Sequence, residues 1–319
     1  MKPSATVVVT TWNNEDSIKN CIDSVLDQTY DNYDVYVVEA YSQDNTYEIL
    51  KDYGNQIELD QVSGWAPAAF NWAIDRIDSD LVAFTDADCV VDSTWLENLV
   101  VGFDSEEIVG VAGFCGSGEP KNIIENVIGI ELEHRFNHFP EFIARAPTMN
   151  LAVRTEALKK EPFDERLRVA FETDLGYRLQ KHGKIRYKPD AVIKHQHRGS
   201  WFKLFSQQLN YGIYQFAVSM RHRGHAVGDH LSSLYMYMQI PAAYLTVLFM
   251  LLSVVWTPFI FLSTLGVLGL LATFILKSRK LDIPEGYLKY FMVFFAVRLA
   301  GWCVGLPKGV IKYVTGETR

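Results

Sequence analysis

The sequence predicts an α/β domain with a mostly parallel central sheet, followed by C-terminal membrane helices. Short β-branched runs alternate with stretches of helical periodicity between residues 5 and 195. Residues 231–319 hold 8 of the 30 basic and 3 of the 38 acidic side chains, so the net charge is +5 there and 22 − 35 = −13 before it. Residues 231–276 carry no Asp, Glu, Lys or Arg, although the average content of 21% would place about ten there. A purely soluble protein, a disordered chain and a polytopic transporter are therefore excluded.

The first part of the chain shows the alternation most clearly. Strands are predicted at residues 5–10, 34–40, 57–62 and 81–85, and helices at residues 18–26, 46–53 and 66–77. Strands joined by single helices run parallel, with helices covering both faces of the sheet. Ligands of such sheets bind beyond the carboxyl ends of the strands, so we expect the chemistry just after residues 10, 39 and 85.

The second part of the domain is less regular. Strands are predicted at residues 108–114, 148–153, 184–188 and 191–195, and a helix at residues 173–182 that ends at Gly183. We place the catalytic domain at residues 1–199, an amphipathic interfacial segment at residues 200–230 and the membrane region at residues 231–319.

The membrane region is long enough for two or three transmembrane helices, at residues 234–253, 259–276 and 287–306. Lys289 and Arg298 interrupt the third stretch, so it either spans, with Arg298 facing protein or snorkelling, or lies in the interface. Lys277, Arg279 and Lys280 follow the second stretch, and the positive-inside rule then predicts a cytoplasmic catalytic domain on a multi-pass cell-membrane protein.

Bulk properties narrow the partners. An acidic domain argues against nucleic acid, because phosphate binding needs a basic face. The four cysteines show no C-x-x-C spacing, which is typical of reduced thiols in the cytosol. Residues 1–4 lead directly into an apolar run of six residues, which is shorter than the core of a signal peptide, so no signal peptide is expected.

Acidic side chains follow two of the predicted strands. Asp86 and Asp88 stand at the end of the strand at 81–85, where alternate side chains share a face and offer hard oxygen ligands to Mg²⁺ or Mn²⁺. The alternative is a polar strand end at which Asp92 or Ser93 caps the next helix. Glu39 ends the strand at 34–40, where a carboxylate accepts hydrogen bonds from a base or a ribose, and Asp44 is expected to cap the following helix.

Two further groups carry candidate chemistry. Glu172 and Asp174 open a helix, so one of them is a candidate general base, although acids at that position are also favoured by the helix dipole alone. His195 and His197 follow the last strand of the domain, and alternate positions put both rings on one face as candidate metal ligands. The motifs of zinc proteases, serine hydrolases, P-loop enzymes and dinucleotide-binding domains are absent from the sequence.

Taken together, these segments resemble the family-2 inverting glycosyltransferases, which have a GT-A fold. The resemblance covers residues 5–215 and rests on five ordered segments, namely residues 7–30, 37–50, 64–75, 84–99 and 150–198. Each motif is weak alone, but five in this order are specific. The resemblance implies a nucleotide-diphospho-sugar donor, a divalent cation, and a lipid-linked or saccharide acceptor.

The resemblance also implies residue roles. Thr11, Asn13, Glu39, Asn71 and Asp86 would bind the donor. The metal would be held by Asp86, Asp88 and His195. Glu172 would be the base, because it occupies the position at which the family usually has its catalytic aspartate.

Three departures from the family pattern affect these roles. The family often has two aspartates where this chain has Glu39-Ala40, and Arg-Asn where it has Phe70-Asn71, so the donor specificity is open. It often has Glu-Asp where this chain has Phe171-Glu172, which leaves both Glu172 and Asp174 as candidate bases. A Q-x-x-R-W motif of processive synthases is not present, which disfavours long-polymer synthesis.

The amphipathic segment at residues 200–220 predicts a lipid-linked acceptor at the cytoplasmic face, or else simple anchoring beside partner enzymes. Three rival functions remain at this point: a polyprenyl-phosphate glycosyltransferase, a nucleotidyltransferase, and a non-catalytic protein that binds sugar nucleotides at the membrane. A nucleotidyltransferase is disfavoured because the N-terminal part has no basic, glycine-rich loop for a triphosphate.

Overall fold

The computed structural model describes residues 2–225 and 228–319, so residues 226 and 227 of the predicted interfacial segment lie outside the described residues. The chain divides into two compact units. The sheet unit comprises Met1–Glu119 and Phe136–Gln196, and the helical unit comprises Pro120–Arg135 and His197–Arg319. The division therefore falls close to the predicted end of the domain, but it also assigns an internal segment to the helical unit.

The sheet unit contains nine strands. They are β1 Ala5–Thr11, β2 Tyr33–Glu39, β3 Glu58–Gln61, β4 Leu81–Asp86, β5 Cys89–Val91, β6 Ile108–Ser117, β7 Phe142–Ile143, β8 Leu151–Arg154 and β9 Lys184–His195. Their order in the sheet is β3-β2-β1-β4-β8-β6-β9-β5, and β7 pairs with β9. The α/β prediction is confirmed, and the sheet is mixed.

Strand direction changes halfway across the sheet. The first four strands are parallel, as predicted, with β1 between β2 and β4 and with β3 outside β2. Strand β8 is antiparallel to both β4 and β6, and β9 is parallel to β6 but antiparallel to β5 and β7. Hydrophobic periodicity identifies strands but carries no information about their direction, so this half could not be predicted.

The helices of the sheet unit flank these strands. They are α1 Ile18–Leu26, α2 Thr46–Lys51, α3 Ala66–Ile74, α4 Trp95–Val101, α6 Thr155–Lys160 and α7 Phe171–Leu179. Strands β1 and β4 are buried on both faces, as expected for a sheet between helix layers. Two strands predicted separately form the single strand β9, whose pairing with β6 is irregular around Pro189 because proline has no N–H to donate.

A buried asparagine ties three elements together. The Asn150 amide donates to the carbonyl oxygens of Phe114 in β6 and Ala191 in β9, at 2.9 Å each. Its side-chain oxygen accepts from the Trp95 indole of α4 at 2.8 Å. This network holds β9 beside β6 and so fixes the position at which β9 ends.

The described residues of the helical unit form five long helices: α5 Ile123–Phe136, of which all but the last residue belongs to this unit, α8 Trp201–Arg221, α9 Leu234–Leu252, α10 Phe259–Ser278 and α11 Leu288–Val314. Helices α9, α10 and α11 are long and apolar enough to span a membrane. All three lie at the stretches that the sequence predicts as membrane helices. Helix α5 was not predicted, because its apolar residues are spread around the helix and give no helical periodicity in the sequence.

Helices α8 and α11 run parallel in close backbone contact. A Cβ added at Gly305 would lie 2.3 Å from the Leu209 carbonyl oxygen, and one at Gly309 would lie 2.2 Å from that of Ile213. Small residues at every fourth position allow such close packing of helices. The Trp302 indole also donates to the Gln208 side chain at 2.9 Å.

Arg298, the charge that interrupts α11, faces protein. Its side chain is 7% exposed and donates to Glu131 of α5 at 3.1 Å, within the helical unit. Of the two orientations that the sequence left open for a spanning helix, the buried one is therefore present. A charge held this way does not by itself decide whether α11 crosses a membrane.

Candidate active site

The ends of three parallel strands meet at one edge of the sheet. Thr11, the last residue of β1, is paired with Glu39 of β2, and Thr10 is paired with Asp86 of β4. Residues that are far apart in sequence are thus neighbours where each strand ends. The expectation that chemistry lies after residues 10, 39 and 85 therefore selects one continuous edge.

Glu39 is fully buried at this edge, and both of its carboxylate oxygens are used within the protein. One oxygen accepts from the Ser42 backbone N–H at 2.5 Å. The other accepts from the Tyr41 N–H at 3.0 Å and from the Gln61 side-chain amide at 2.6 Å. The predicted donor-binding residue therefore holds the turn after β2 and ties that turn to β3.

The loop after β1 is connected to the same turn. Asn13 has a left-handed backbone, with φ of 52°, and its N–H donates to the Ser42 hydroxyl at 2.8 Å. Its side-chain oxygen accepts from the Gln43 N–H at 2.7 Å. The Thr11 hydroxyl donates to Asn14 at 3.1 Å. These contacts give the two loops a fixed shape, which is a requirement for binding a rigid ligand.

Three large aromatic side chains in this region are exposed to solvent. Trp12 follows β1, Tyr41 follows β2 and Trp65 follows β3, with exposed fractions of 57%, 55% and 51%. The Arg168 guanidinium lies 4.3 Å from the Trp65 ring centre. Sequence reasoning missed these residues, although an aromatic residue after each of three successive strands was a visible signal. Such side chains offer flat, amphipathic faces to a planar ligand.

Asp88 and His195 form the candidate metal centre. Antiparallel pairing places Cys89 of β5 opposite His195 of β9, and the Gln196 N–H donates to the Asp88 carbonyl at 3.2 Å. The His195 Nε2 is 3.4 Å from an Asp88 carboxylate oxygen. Ligand atoms of Asp88, Cys89 and His195 all lie within 4.8 Å of one another. Asp86 lies two residues before this group and is not one of its three members.

The ligand atoms of Asp88 and His195 fit a hard or borderline divalent cation. Carboxylate oxygen and imidazole nitrogen are suitable ligands for Mn²⁺, and carboxylate oxygen for Mg²⁺. Burial, reinforced by the charges of Asp86 and Asp88, raises the pKa of the Cys89 thiol well above its usual range. Since the thiolate is the form that binds metals, Asp88 and His195 are the better ligands. His197, the other predicted histidine of the pair, belongs to the helical unit.

Glu172 and Asp174 lie in the first turn of α7, and both are largely buried. The Arg178 guanidinium, one turn later, binds the Asp174 carboxylate at 2.8 Å and also contacts Glu161 at 3.1 Å. The residue before α7, Ala170, has a left-handed backbone with φ of 62°. A strained residue directly before a helix sets the direction of its first turn, and with it the positions of these acids.

The two phenylalanines that depart from the family pattern pack against each other. The ring centres of Phe70 and Phe171 are 6.1 Å apart. The ring centre of Phe163 lies 5.0 Å from that of Phe70 and 5.8 Å from that of Phe171. Asn71 is committed to the same loop, because its amide donates to the Phe163 carbonyl and to Glu165, at 2.9 Å each, and accepts from the Phe163 N–H. In this chain Phe70 and Asn71 hold the segment that leads into α7.

Comparison with known proteins confirms the family resemblance. The sequence profile of the family described as Glycosyl transferase family 2 matches residues 6–167, just over half of the chain. The chain belongs to glycosyl transferase family 2. The profile includes the edge formed by β1, β2 and β4, together with Asp86 and Asp88.

The chain is also similar to known glycosyltransferases over shorter regions. It is 31% identical over 102 residues to glycosyltransferase AglE of Haloferax volcanii, and the aligned region covers 30% of this chain and 34% of that protein. It is 29% identical over 112 residues to glycosyltransferase GlyA of Streptococcus pneumoniae, and the aligned region covers 33% of this chain and 16% of that protein. The chain thus spans about a third or less of the length of these relatives.

Solved structures show the fold of the transferase. The mannosyltransferase PcManGT from Pyrobaculum calidifontis, in complex with GDP-Man and Mn²⁺, superposes with a TM-score of 0.63 at 17% identity, covering 96% of this chain and 88% of that one. Residues 1–349 of S. aureus TarS, in complex with UDP, give a TM-score of 0.51 at 14% identity, covering 98% and 92%. The predicted GT-A fold is therefore confirmed.

The contacts of Glu39 generate a testable prediction. Replacing the buried Glu39 with Ala leaves the N–H groups of Tyr41 and Ser42 and the Gln61 amide without their acceptor, which should destabilise the protein by about 1–3 kcal/mol. We expect a clear fall of the thermal unfolding midpoint of the detergent-purified protein. The control is Glu58→Ala at an exposed position of β3, which should change it little. Equal midpoints for the two variants would contradict the structural role of Glu39.

Proposed function

We propose that the protein is a membrane-anchored, inverting, metal-dependent glycosyltransferase that uses a nucleotide-diphospho-sugar and a lipid-linked or saccharide acceptor. The observation that carries this proposal is the Asp88–His195 pair, 3.4 Å apart beside the edge where β1, β2 and β4 end. Carboxylate and imidazole groups at that edge are suited to a cation that accompanies a diphosphate.

The nucleoside would bind over the loops that follow β1 and β2. Trp12 and Tyr41 supply exposed aromatic faces there, and Glu39 holds the backbone of the turn after β2. Two structural neighbours, PcManGT and TarS, are described in complex with GDP-Man and with UDP. Stacking on aromatic faces tolerates different bases, which is consistent with a donor site whose base and sugar are unspecified.

When bound, the cation would offset negative charge on the departing diphosphate as a Lewis acid. Asp88 and His195 would hold it, with Asp86 nearby to contact ribose or metal. The sheet unit is acidic, so a cation at this position also supplies the positive charge that a diphosphate ligand needs.

Replacing Asp88 with Ala should abolish the dependence of donor binding on Mg²⁺ or Mn²⁺. Calorimetric titration of nucleotide-sugars with and without the cation would measure this. Asp92→Ala removes an exposed carboxylate four residues away and serves as the control, which should retain metal-dependent binding. Unchanged metal-dependent affinity in the Asp88 variant would exclude the metal role.

Glu172 is the proposed base. The acceptor hydroxyl gives its proton to the Glu172 carboxylate, while its oxygen forms a bond to the anomeric carbon. The bond from that carbon to the diphosphate breaks on the opposite face, so the nucleoside diphosphate leaves with the electron pair. Asp174 is less suited to this role because Arg178 binds its carboxylate at 2.8 Å.

The Glu172→Gln variant should bind the donor normally and lose transfer by about 10²- to 10⁴-fold. Donor affinity by calorimetry and transfer rate with radiolabelled sugar separate the two properties. The matched variant Asp174→Asn should mainly lower the unfolding temperature, because it weakens the contact with Arg178. A folded Asp174→Asn protein that loses transfer while Glu172→Gln retains it would reverse the assignment.

We also propose that the catalytic domain is cytoplasmic and that α9 and α10 are the two crossings. Lys277 lies in the last turn of α10, and Arg279 and Lys280 follow the helix directly, which supports this orientation. Helix α11 packs along α8, and α8 is not among the helices of the described residues that are apolar enough to span. This pairing supports an interfacial position for both helices.

Two crossings put both termini on the same side of the membrane. Epitope tags at the two ends should therefore both be digested by protease added to inverted vesicles, and both be protected in intact spheroplasts. Digestion of only one tag in inverted vesicles would indicate three crossings.

A further inference from the structure

Helices α9 and α10 enclose an apolar groove of about 410 Å³ within the helical unit. It lies between the two helices proposed to cross the membrane, so in the proposed topology lipid hydrocarbon surrounds it. The residues that line it include Tyr235, Gln239, Thr246, Gly269 and Thr273. An empty groove of this size in a bilayer forfeits dispersion contacts on every side, so a lipid chain is the natural occupant.

The polar side chains of the groove bind one another or the helix backbone. Gln239 donates to Thr273 at 2.9 Å, and Thr246 donates to the Ala242 carbonyl at 2.8 Å. The walls therefore present hydrocarbon and satisfied polar groups to an occupant. Gly269 is the open point of the wall, because a Cβ added there would meet no atom within 4 Å.

A group of three cations shares one carboxylate in the same unit. Glu131 of α5 receives the Arg298 guanidinium at 3.1 Å on one oxygen and the Arg135 guanidinium on the other. Burial alone would raise the pKa of Glu131, but Arg135 and Arg298, with a further contribution from Lys277, lower it to about 2. The group thus carries an excess of positive charge, and Lys277 and Arg135 are both partly exposed.

The groove leads towards these cations. Arg135 donates to the Leu231 carbonyl at 3.3 Å, and Leu231 lies four residues before the groove residue Tyr235, in the segment that leads into α9. On α10, Lys277 follows the groove residue Thr273 by one turn and therefore lies on the same helix face.

We propose that this groove and the adjoining cations bind the acceptor, a lipid with a single hydrocarbon chain and a phosphate group. The chain lies between α9 and α10, and Lys277 and Arg135 hold the phosphate at the near end. A single groove accommodates one chain, which favours a long-chain prenyl phosphate over a diacyl phospholipid. The role as acceptor rests on the proposed glycosyltransferase function, whereas the binding itself does not.

Binding to the full-length protein in nanodiscs, followed by native mass spectrometry, tests the site without any reaction. The probes are a long-chain prenyl monophosphate, the corresponding prenol, dioleoyl phosphatidic acid and inorganic phosphate. We expect the prenyl monophosphate to bind at least about tenfold more tightly than each of the others. Equal binding of phosphatidic acid, equal binding of the prenol, or no binding of the prenyl monophosphate would each overturn the proposal.

Two variants locate the site. Gly269→Leu fills the groove with a residue of higher helix propensity, and Lys277→Gln removes a partly exposed cation, so each should weaken prenyl phosphate binding about tenfold or more. The control Leu268→Phe enlarges an exposed side chain outside the groove and should leave binding unchanged. Normal binding by both Gly269→Leu and Lys277→Gln would overturn the assignment.

Metal-dependent hydrolysis of the nucleotide-sugar is measured on the same samples. We expect it to be unaffected by Gly269→Leu, whose side chain lies in the helical unit. Hydrolysis without prenyl phosphate binding in the wild-type protein would reject this inference and retain the proposed function. Prenyl phosphate binding without hydrolysis or transfer of any nucleotide-sugar would reject the proposed function and retain the lipid site.

Discussion

The parallel register of β1 with its two neighbours is the constraint on which the candidate site depends. β1 pairs through its whole length with β2 and β4, so that Thr11 lies beside Glu39 and Thr10 beside Asp86. A shift of one residue in either ladder would turn every side chain of the shifted strand to the opposite face. Because the β-branched residues of β1 are buried on both faces, the helix layers resist such a shift.

The sequence predicted those features of the fold that depend on the pattern of residues close together in the chain. The runs of residues 5–10, 34–40 and 81–85 are short and rich in apolar residues, and parallel strands joined by helices bring their ends together, so this edge was predictable. The partners of each acid at that edge depend on turn geometry, which no periodicity encodes. Glu39 was expected to face a ligand, yet it binds the turn that follows it. The Asp174–Arg178 contact was predictable, since the two residues are four apart on a predicted helix.

Long-range packing explains the remaining differences. Phe70 and Phe171 are 101 positions apart in sequence, but their rings lie in one aromatic cluster with Phe163. A pattern of charged residues can be replaced by a packed aromatic group when both positions change together. A single sequence shows each change separately, so their compensation appears only in the folded chain. The same holds for α5, whose place beside α11 depends on the contact of Glu131 with Arg298.

The helical unit shows how a charged residue is accommodated in an apolar helix. Removing Arg298 and Glu131 from water costs several kcal/mol for each ion, and their attraction offsets this only when further hydrogen bonds complete the geometry. The second oxygen of Glu131 is bound by Arg135, which also donates to the Leu231 carbonyl and so reaches the start of α9. Glycine contacts along α8 and α11 keep the other side of α11 in register with this cluster. One carboxylate therefore joins α5 to α11 and, through Arg135, to the segment that leads into α9. Because it neutralises only one of the cations around it, the cluster has the charge that the proposed lipid phosphate needs.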